Sequence, residues 1–155
     1  MRRRSGFTLV ELLIVVATLA VLAGIVIPQF GESVADARKS AALADLHQLT
    51  TAIEFYKMHH DGLPPDELQG STLSQLSGRT DYGGNVGTGA AFPLGPYLVG
   101  GIPPNPFNDS DAVTLAASVP PSASELQVAV GWLYDPDSGQ LWAGESRANS
   151  LLGGL

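Results

Sequence analysis

The chain has 155 residues, room for one domain with appendages but not for two full-sized cores. Eight Lys and Arg stand against fifteen Asp and Glu, a formal charge of -7; three of the eight are Arg2, Arg3 and Arg4, so that without residues 1–6 five basic residues face fifteen acidic ones, a charge of -10. So acidic a chain repels phosphate backbones, which argues against a nucleic-acid partner, and the absence of cysteine excludes a disulfide framework and any thiolate metal site.

The three arginines precede Phe7–Ile27, an uninterrupted 21-residue run that is apolar except at Thr8, Glu11 and Thr18. As a helix it spans roughly 31 Å, close to the hydrocarbon thickness of a bilayer, about 30 Å. Basic residues before the run and none inside it place the N-terminus on the cytoplasmic side and the rest of the chain across the membrane. An ordinary secretory signal has a shorter apolar core and a small-residue cleavage site, which Ala20 and Ala23 supply only weakly. A plain membrane anchor has no use for Glu11, because a carboxylate in an apolar run costs about 2.5–3.5 kcal/mol at mid-helix, less toward the end. A cation would offset that cost. The amino group made by cutting before Phe7 is one, four residues or about 6 Å along the axis from Glu11. In a neighbouring copy shifted by that amount it would face Glu11 and fix the stagger between copies.

The segment GFTLVELLIVVATLAVLAGIVIPQF, Gly6–Phe30, resembles the N-terminal signature of type IV pilins and type II secretion pseudopilins. The resemblance implies cleavage after Gly6 by a prepilin peptidase, N-methylation of Phe7, a role for Glu11 in membrane extraction and filament assembly, and a helix kink at Pro28. Thr18 reads as a hydroxyl bonded to its own preceding turn rather than as a site. Beyond Pro28 the helical pattern resumes: Ala42, Leu46, Leu49, Ile53 and Tyr56 recur at spacings of 4, 3, 4 and 3, with Leu43 widening the face. One helix is expected from about Phe7 to about His59, ending at His60-Asp61-Gly62 before Pro64-Pro65. Ala44–Leu68 also resembles, more loosely, a second signature of major pseudopilins, in which a DL-x-x-L-x-x-AI-x-x-Y pattern leads into a turn and a Pro.

Residues 71–106 are rich in Gly and Pro. One helical turn is expected at Thr72–Leu76 with Ser71 as its N-cap. Gly87-Thr88-Gly89 lacks the spacing, the Lys and the following helix of a phosphate loop, so the stretch reads as a long surface loop packed by Phe92, Pro96, Tyr97 and Leu98. Gly95–Asn108 resembles segments of bacterial prepilin-like proteins that precede a terminal hairpin. Residues 112–124 read either as a strand near Val113–Ala117 or as an insert. Leu126, Val128 and Val130 alternate as a strand running on to Tyr134; Asp135–Gly139 is turn chemistry, and Gln140–Ala143 returns as its partner. Trp132 and Trp142 have room to pack on the helix or across the hairpin.

Several polar groups invite a site. Asp135 and Asp137 are weak candidates for calcium, and the pair Asp109 and Asp111 is no better. His59 and His60 point about 100° apart on a helix and read as a solvated C-terminus rather than a metal pair. Asp66 and Glu67 lie in a Pro- and Gly-flanked loop without a cleft, and no nucleophile–base arrangement is visible, so neither an enzyme nor a cofactor is expected.

The expected architecture is α+β and pilin-like: a leader at 1–6, a transmembrane helix at 7–27, an amphipathic stalk at 28–60, and a loop-rich region at 61–155 with a small antiparallel sheet. The resemblance implies a structural subunit of a pilus-like filament, preferentially a type II secretion pseudopilin. It would be held in the inner membrane by one span, with its C-terminal domain extracytoplasmic. Its partners would be the membrane, copies of itself or related pilins, the prepilin peptidase and the assembly machinery. The alternative is a membrane-anchored periplasmic binding or adhesion module that borrows prepilin-type processing.

Overall fold

The computed structural model describes residues 7–66, 68–129 and 131–145. Helix α1 spans Leu9–His59, and short elements follow: β1 Leu68–Gln69, β2 Thr72–Leu73, α2 Ser74–Ser77, β3 Arg79–Thr80, β4 Val86–Gly87, β5 Val113–Leu115, α3 Ala123–Val128, β6 Trp132–Asp135 and β7 Gln140–Ala143. The chain divides into two compact units, Met1–Ala37 and Arg38–Leu155.

In the first unit α1 is long and apolar enough at Leu9–Val26 to cross a membrane, and none of that window is buried within the chain. The Thr18 hydroxyl donates to the Val15 carbonyl at 2.9 Å, as its polarity in an apolar run requires. The helical backbone continues through Pro28, whose missing N–H leaves the Gly24 carbonyl without its usual intrahelical donor.

In the second unit the expected stripe becomes the core. Leu49, Ala52, Ile53 and Tyr56 of α1 bury against Leu73, Leu76, Leu98, Ile102, Val113, Trp132 and Tyr134. Leu46 packs at the margin, and Leu43 is exposed rather than widening the buried face. The helix ends as its sequence predicts. Asp61 and Gly62 take positive φ, 52° and 82°, and the Gly62 N–H returns to the Lys57 carbonyl at 2.9 Å.

The main sheet has the order β5-β6-β7. Strands β6 and β7 form the expected antiparallel hairpin, pairing Leu133 with Trp142 and Tyr134 with Leu141. Strand β5 lies parallel to β6, pairing Val113 with Trp132, so the sheet is mixed rather than purely antiparallel. Parallel neighbours need a crossover, and residues 116–131 provide it through α3. This corrects the strand reading of Leu126 and Val128, which are helical; Val130 lies outside the described residues. The physical reason sits just upstream: the Ser122 hydroxyl caps the helix by accepting from the Glu125 N–H at 3.2 Å. The Glu125 carboxylate accepts in turn from the Ala117 N–H and the Ser118 hydroxyl.

Strand β6, central in its sheet, is buried at all four residues. Trp132 donates from its indole N–H to the Pro103 carbonyl at 2.8 Å, and Tyr134 from its hydroxyl to the Pro65 carbonyl at 2.6 Å, fastening two Pro-rich loops to the sheet. Asn105, fully buried, donates its amide to the Gly131 and Gly144 carbonyls at 2.6 and 2.9 Å, and its Oδ1 accepts from the Phe107 N–H at 3.0 Å. At Gly131, φ is +81° and a Cβ would lie 2.0 Å from the Ala112 carbonyl oxygen, so only glycine lets β5 and β6 approach there.

The Gly/Pro-rich stretch is more structured than a surface loop. It carries α2 and the antiparallel pair β3–β4, and Leu98 and Ile102 enter the core. Phe92 lies over Gly87, while Pro96 is exposed. The predicted turn at Thr72–Leu76 is displaced: Thr72 and Leu73 pair with β1, α2 begins at Ser74, and its N-cap is Leu73 rather than Ser71.

Candidate assembly site at the start of the long helix

The first helical residue of α1 is Leu9, which makes Thr8 the N-cap and Glu11 the third position of the helix. Glu11 donates its N–H to the Thr8 hydroxyl oxygen at 3.2 Å. In return the Glu11 Oε2 accepts from the Thr8 N–H at 2.8 Å and from the Thr8 hydroxyl at 2.6 Å. This reciprocal arrangement is a capping box; it satisfies two backbone N–H groups that no helical carbonyl can reach. The expectation that a plain anchor has no use for Glu11 is therefore corrected: the carboxylate starts the helix. The signal was in the sequence, since Thr8-x-x-Glu11 directly before an apolar run is the capping-box pattern.

The capping box places a carboxylate at the head of a helix whose next residues, Leu9 through Val26, are all apolar or small but for Glu11 and Thr18. Phe7, four residues earlier, is exposed. Gly6 lies outside the described residues, as do the other residues of 1–6, and so do the side chains of residues 27–32.

The remaining candidates have structural occupations. His60 is buried rather than solvated. Its Nδ1 lies 2.8 Å from the Tyr56 carbonyl and its Nε2 3.0 Å from the Asp81 carbonyl and 3.2 Å from the Thr80 hydroxyl. The ring stacks on Tyr56 with centroids 3.8 Å apart. His59 stays exposed, with Nδ1 3.2 Å from the Tyr97 hydroxyl, so the two histidines do diverge. The Asp135 carboxylate accepts from the Ser138 N–H at 3.1 Å and from the Ser138 hydroxyl; that hydroxyl, with the neighbouring N–H groups, holds the group below its ordinary value. Asp137, in the same turn, is exposed. Asp109 takes a positive φ of 54° in a turn. Asp66 accepts from the Gln75 amide at 3.1 Å, and Glu67 lies outside the described residues. Among the described residues no three His, Asp or Glu side chains gather to hold a metal ion.

Comparison with known proteins points to the same end of the chain. Residues 1–27 match the family described as the prokaryotic N-terminal methylation motif. A type IV major fimbrial protein FimA of Dichelobacter nodosus is 42% identical over 76 residues, covering 48% of this chain and 46% of the relative. The type II secretion system core protein G of Aeromonas hydrophila is 35% identical over 66 residues, 43% of this chain and 46% of the relative. That of Pseudomonas aeruginosa is 35% identical over 63 residues, 41% and 44%. The chain thus spans less than half the length of these relatives. No solved structure matches. The chain carries the methylation motif on residues 1–27, with a long apolar helix and small sheets behind it, and over less than half its length it is similar both to type IV fimbrial proteins and to type II secretion core proteins.

Proposed function

We propose that this chain is a non-enzymatic structural subunit of a pilus-like filament, preferentially a type II secretion pseudopilin. It is made as a precursor, cut between Gly6 and Phe7 by a prepilin peptidase, and N-methylated at Phe7. One span holds it in the inner membrane, with its N-terminus cytoplasmic and the Arg38–Leu155 unit on the far side. An assembly machine lifts it from there into an array of related copies, and a bend at Pro28 lets the apolar helix repack.

One observation carries the reading: the Thr8–Glu11 capping box sits at the head of an 18-residue apolar helical window none of which is buried within the chain. So much apolar surface requires lipid or neighbouring helices. In the single subunit the Glu11 carboxylate is satisfied by its own Thr8. In the filament it exchanges some of those bonds for the Phe7 amino group of a neighbour, a charge-assisted contact of the stronger kind.

Two measurements test this. Mass spectrometry of assembled material should show a chain starting at a methylated Phe7; an intact N-terminus there refutes the proposal. Glu11→Gln keeps a hydrogen-bonding end for Thr8 but removes the charge. It should be cleaved and membrane-bound yet fail to assemble, whereas Thr8→Val, which loses the hydroxyl and keeps the charge, should still assemble. Normal filament yield from Glu11→Gln removes this account of Glu11.

A further inference from the structure

His60, next after the last residue of α1, has a carbonyl in front of each ring nitrogen. Nδ1 lies 2.8 Å from the Tyr56 carbonyl; Nε2 lies 3.0 Å from the Asp81 carbonyl and 3.2 Å from the Thr80 hydroxyl. A neutral imidazole has one N–H and one lone pair, so it donates to one of the two carbonyls and turns its lone pair on the other. The imidazolium has two N–H groups and donates to both. We infer that His60 is a proton-operated clamp: doubly protonated, it ties the end of α1 to the residue after β3, and on losing a proton it releases the Asp81 carbonyl.

The ring is buried, and burial alone opposes a charge. Two charge-assisted donations and the aromatic faces around the ring offset that cost. Tyr56 stacks on it with centroids 3.8 Å apart, and Tyr97 meets it edge-on at 6.1 Å. The anionic group on the facing element is the Asp81 carboxylate. The Asn85 amide above all, and the positive charge of His60 in lesser part, hold that carboxyl below its ordinary value. Lys57, one turn earlier in α1, is engaged with Glu54 at 2.9 Å. A route for the proton is also present. The Thr80 hydroxyl bonds to the hydroxyl of Tyr97, which lies 3.2 Å from Nδ1 of the exposed His59. If each hydroxyl takes one proton and gives one, a proton passes between His59 and His60 without movement of the backbone. The neutral ring keeps its shorter bond to Tyr56 and accepts from Thr80, while its lone pair faces the Asp81 carbonyl.

The test uses the full chain held in lipid nanodiscs. Nitrogen-15 spectra of labelled histidine report whether each ring nitrogen carries a proton, and a His60→Gln sample assigns the signals. His60 should show two protonated nitrogens at about pH 5.5 and lose the one on Nε2 as the pH rises toward about 8.5. The amide signals of Asp81 and Gly84, whose N–H donates to the Asp81 carbonyl, should move with it. A ring with a single proton at about pH 5.5 overturns the inference. Urea unfolding gives the second readout. From about pH 8.5 to about pH 5.5 the folding constant of the unaltered chain should rise about tenfold more than that of His60→Gln, the worth of one charge-assisted hydrogen bond. The same pH dependence in both proteins overturns the inference, because the proton would then add no tie between α1 and Asp81.

Discussion

Replacing Asn105 by alanine should be among the most damaging single changes in the Arg38–Leu155 unit. The side chain is fully buried and serves three backbone groups: the carbonyls of Gly131 and Gly144 and the N–H of Phe107. Leaving a buried polar group unsatisfied costs about 1–3 kcal/mol. The three losses do not simply add, because neighbouring groups relax together. Both carbonyls also keep a second donor, Gly131 the Gly144 N–H at 2.8 Å and Gly144 the Asn108 amide at 3.3 Å, so the cost lies well below the sum of three orphaned groups. A total of about 2–3 kcal/mol follows, a sizeable fraction of the roughly 5–15 kcal/mol that holds a domain together. At about 2–8 °C per kcal/mol, the melting temperature falls by on the order of 10 °C. Asn105→Asp keeps the shape and the acceptor for Phe107 but turns an oxygen toward two carbonyls, and should be no better at neutral pH. Thermal unfolding of the nanodisc-held protein, followed by the near-ultraviolet dichroism of the neighbouring Trp132, gives the number. A loss below about 1 kcal/mol for Asn105→Ala would mean that the remaining donors suffice for both carbonyls, and the argument from burial would be wrong.

Tyr134→Phe removes only the hydroxyl that donates to Pro65 at 2.6 Å and should cost about 1–2 kcal/mol in urea unfolding, with packing unchanged. His60→Phe preserves the stack on Tyr56 but strips the contacts to the Tyr56 and Asp81 carbonyls; about 2 kcal/mol should be lost, read from the denaturation midpoint. Because the Ser138 hydroxyl holds the Asp135 carboxyl below its ordinary value, its contribution is full above the unfolded value near 3.9 and fades as the pH falls through the lower native one. Asp135→Asn should therefore narrow the stability difference between neutral and strongly acid pH, measured by urea unfolding at each pH. With that carboxylate engaged by Ser138, millimolar calcium should leave the melting temperature unchanged; a rise of several degrees that Asp135→Asn abolishes would place an ion in the turn.

Long-period features were legible in the sequence and short-range competition was not. The stripe through Leu49, Ile53 and Tyr56 repeats over many turns, and Asp61-Gly62 ends the helix by backbone geometry that few other pairs adopt. Around Leu126 and Val128 a two-residue alternation coexists with a Ser-x-x-Glu cap, and over six residues the cap decides. The parallel placement of β5 has no local signal, because pairing partners are chosen by the whole core. His60 follows the charged, exposed pattern of a helix end, and only the distant Thr80–Asp81 strand end makes it interior. At the candidate site the carboxylate stands out in the sequence by its cost in an apolar run, and that cost hides its short-range pairing with Thr8.

The central position of β6 has a consequence for synthesis. Leu49 and Trp132 share one core yet lie about eighty residues apart. A chain synthesised from its N-terminus presents the apolar face of Leu49, Ile53 and Tyr56 long before Trp132 and Tyr134 emerge to cover it. Its β5 is also delivered before the strand it must pair with. Such long-range, parallel closure is slow, so the nascent domain passes through a window in which holding factors or premature contacts between chains compete with folding, and the last residues to arrive decide the outcome.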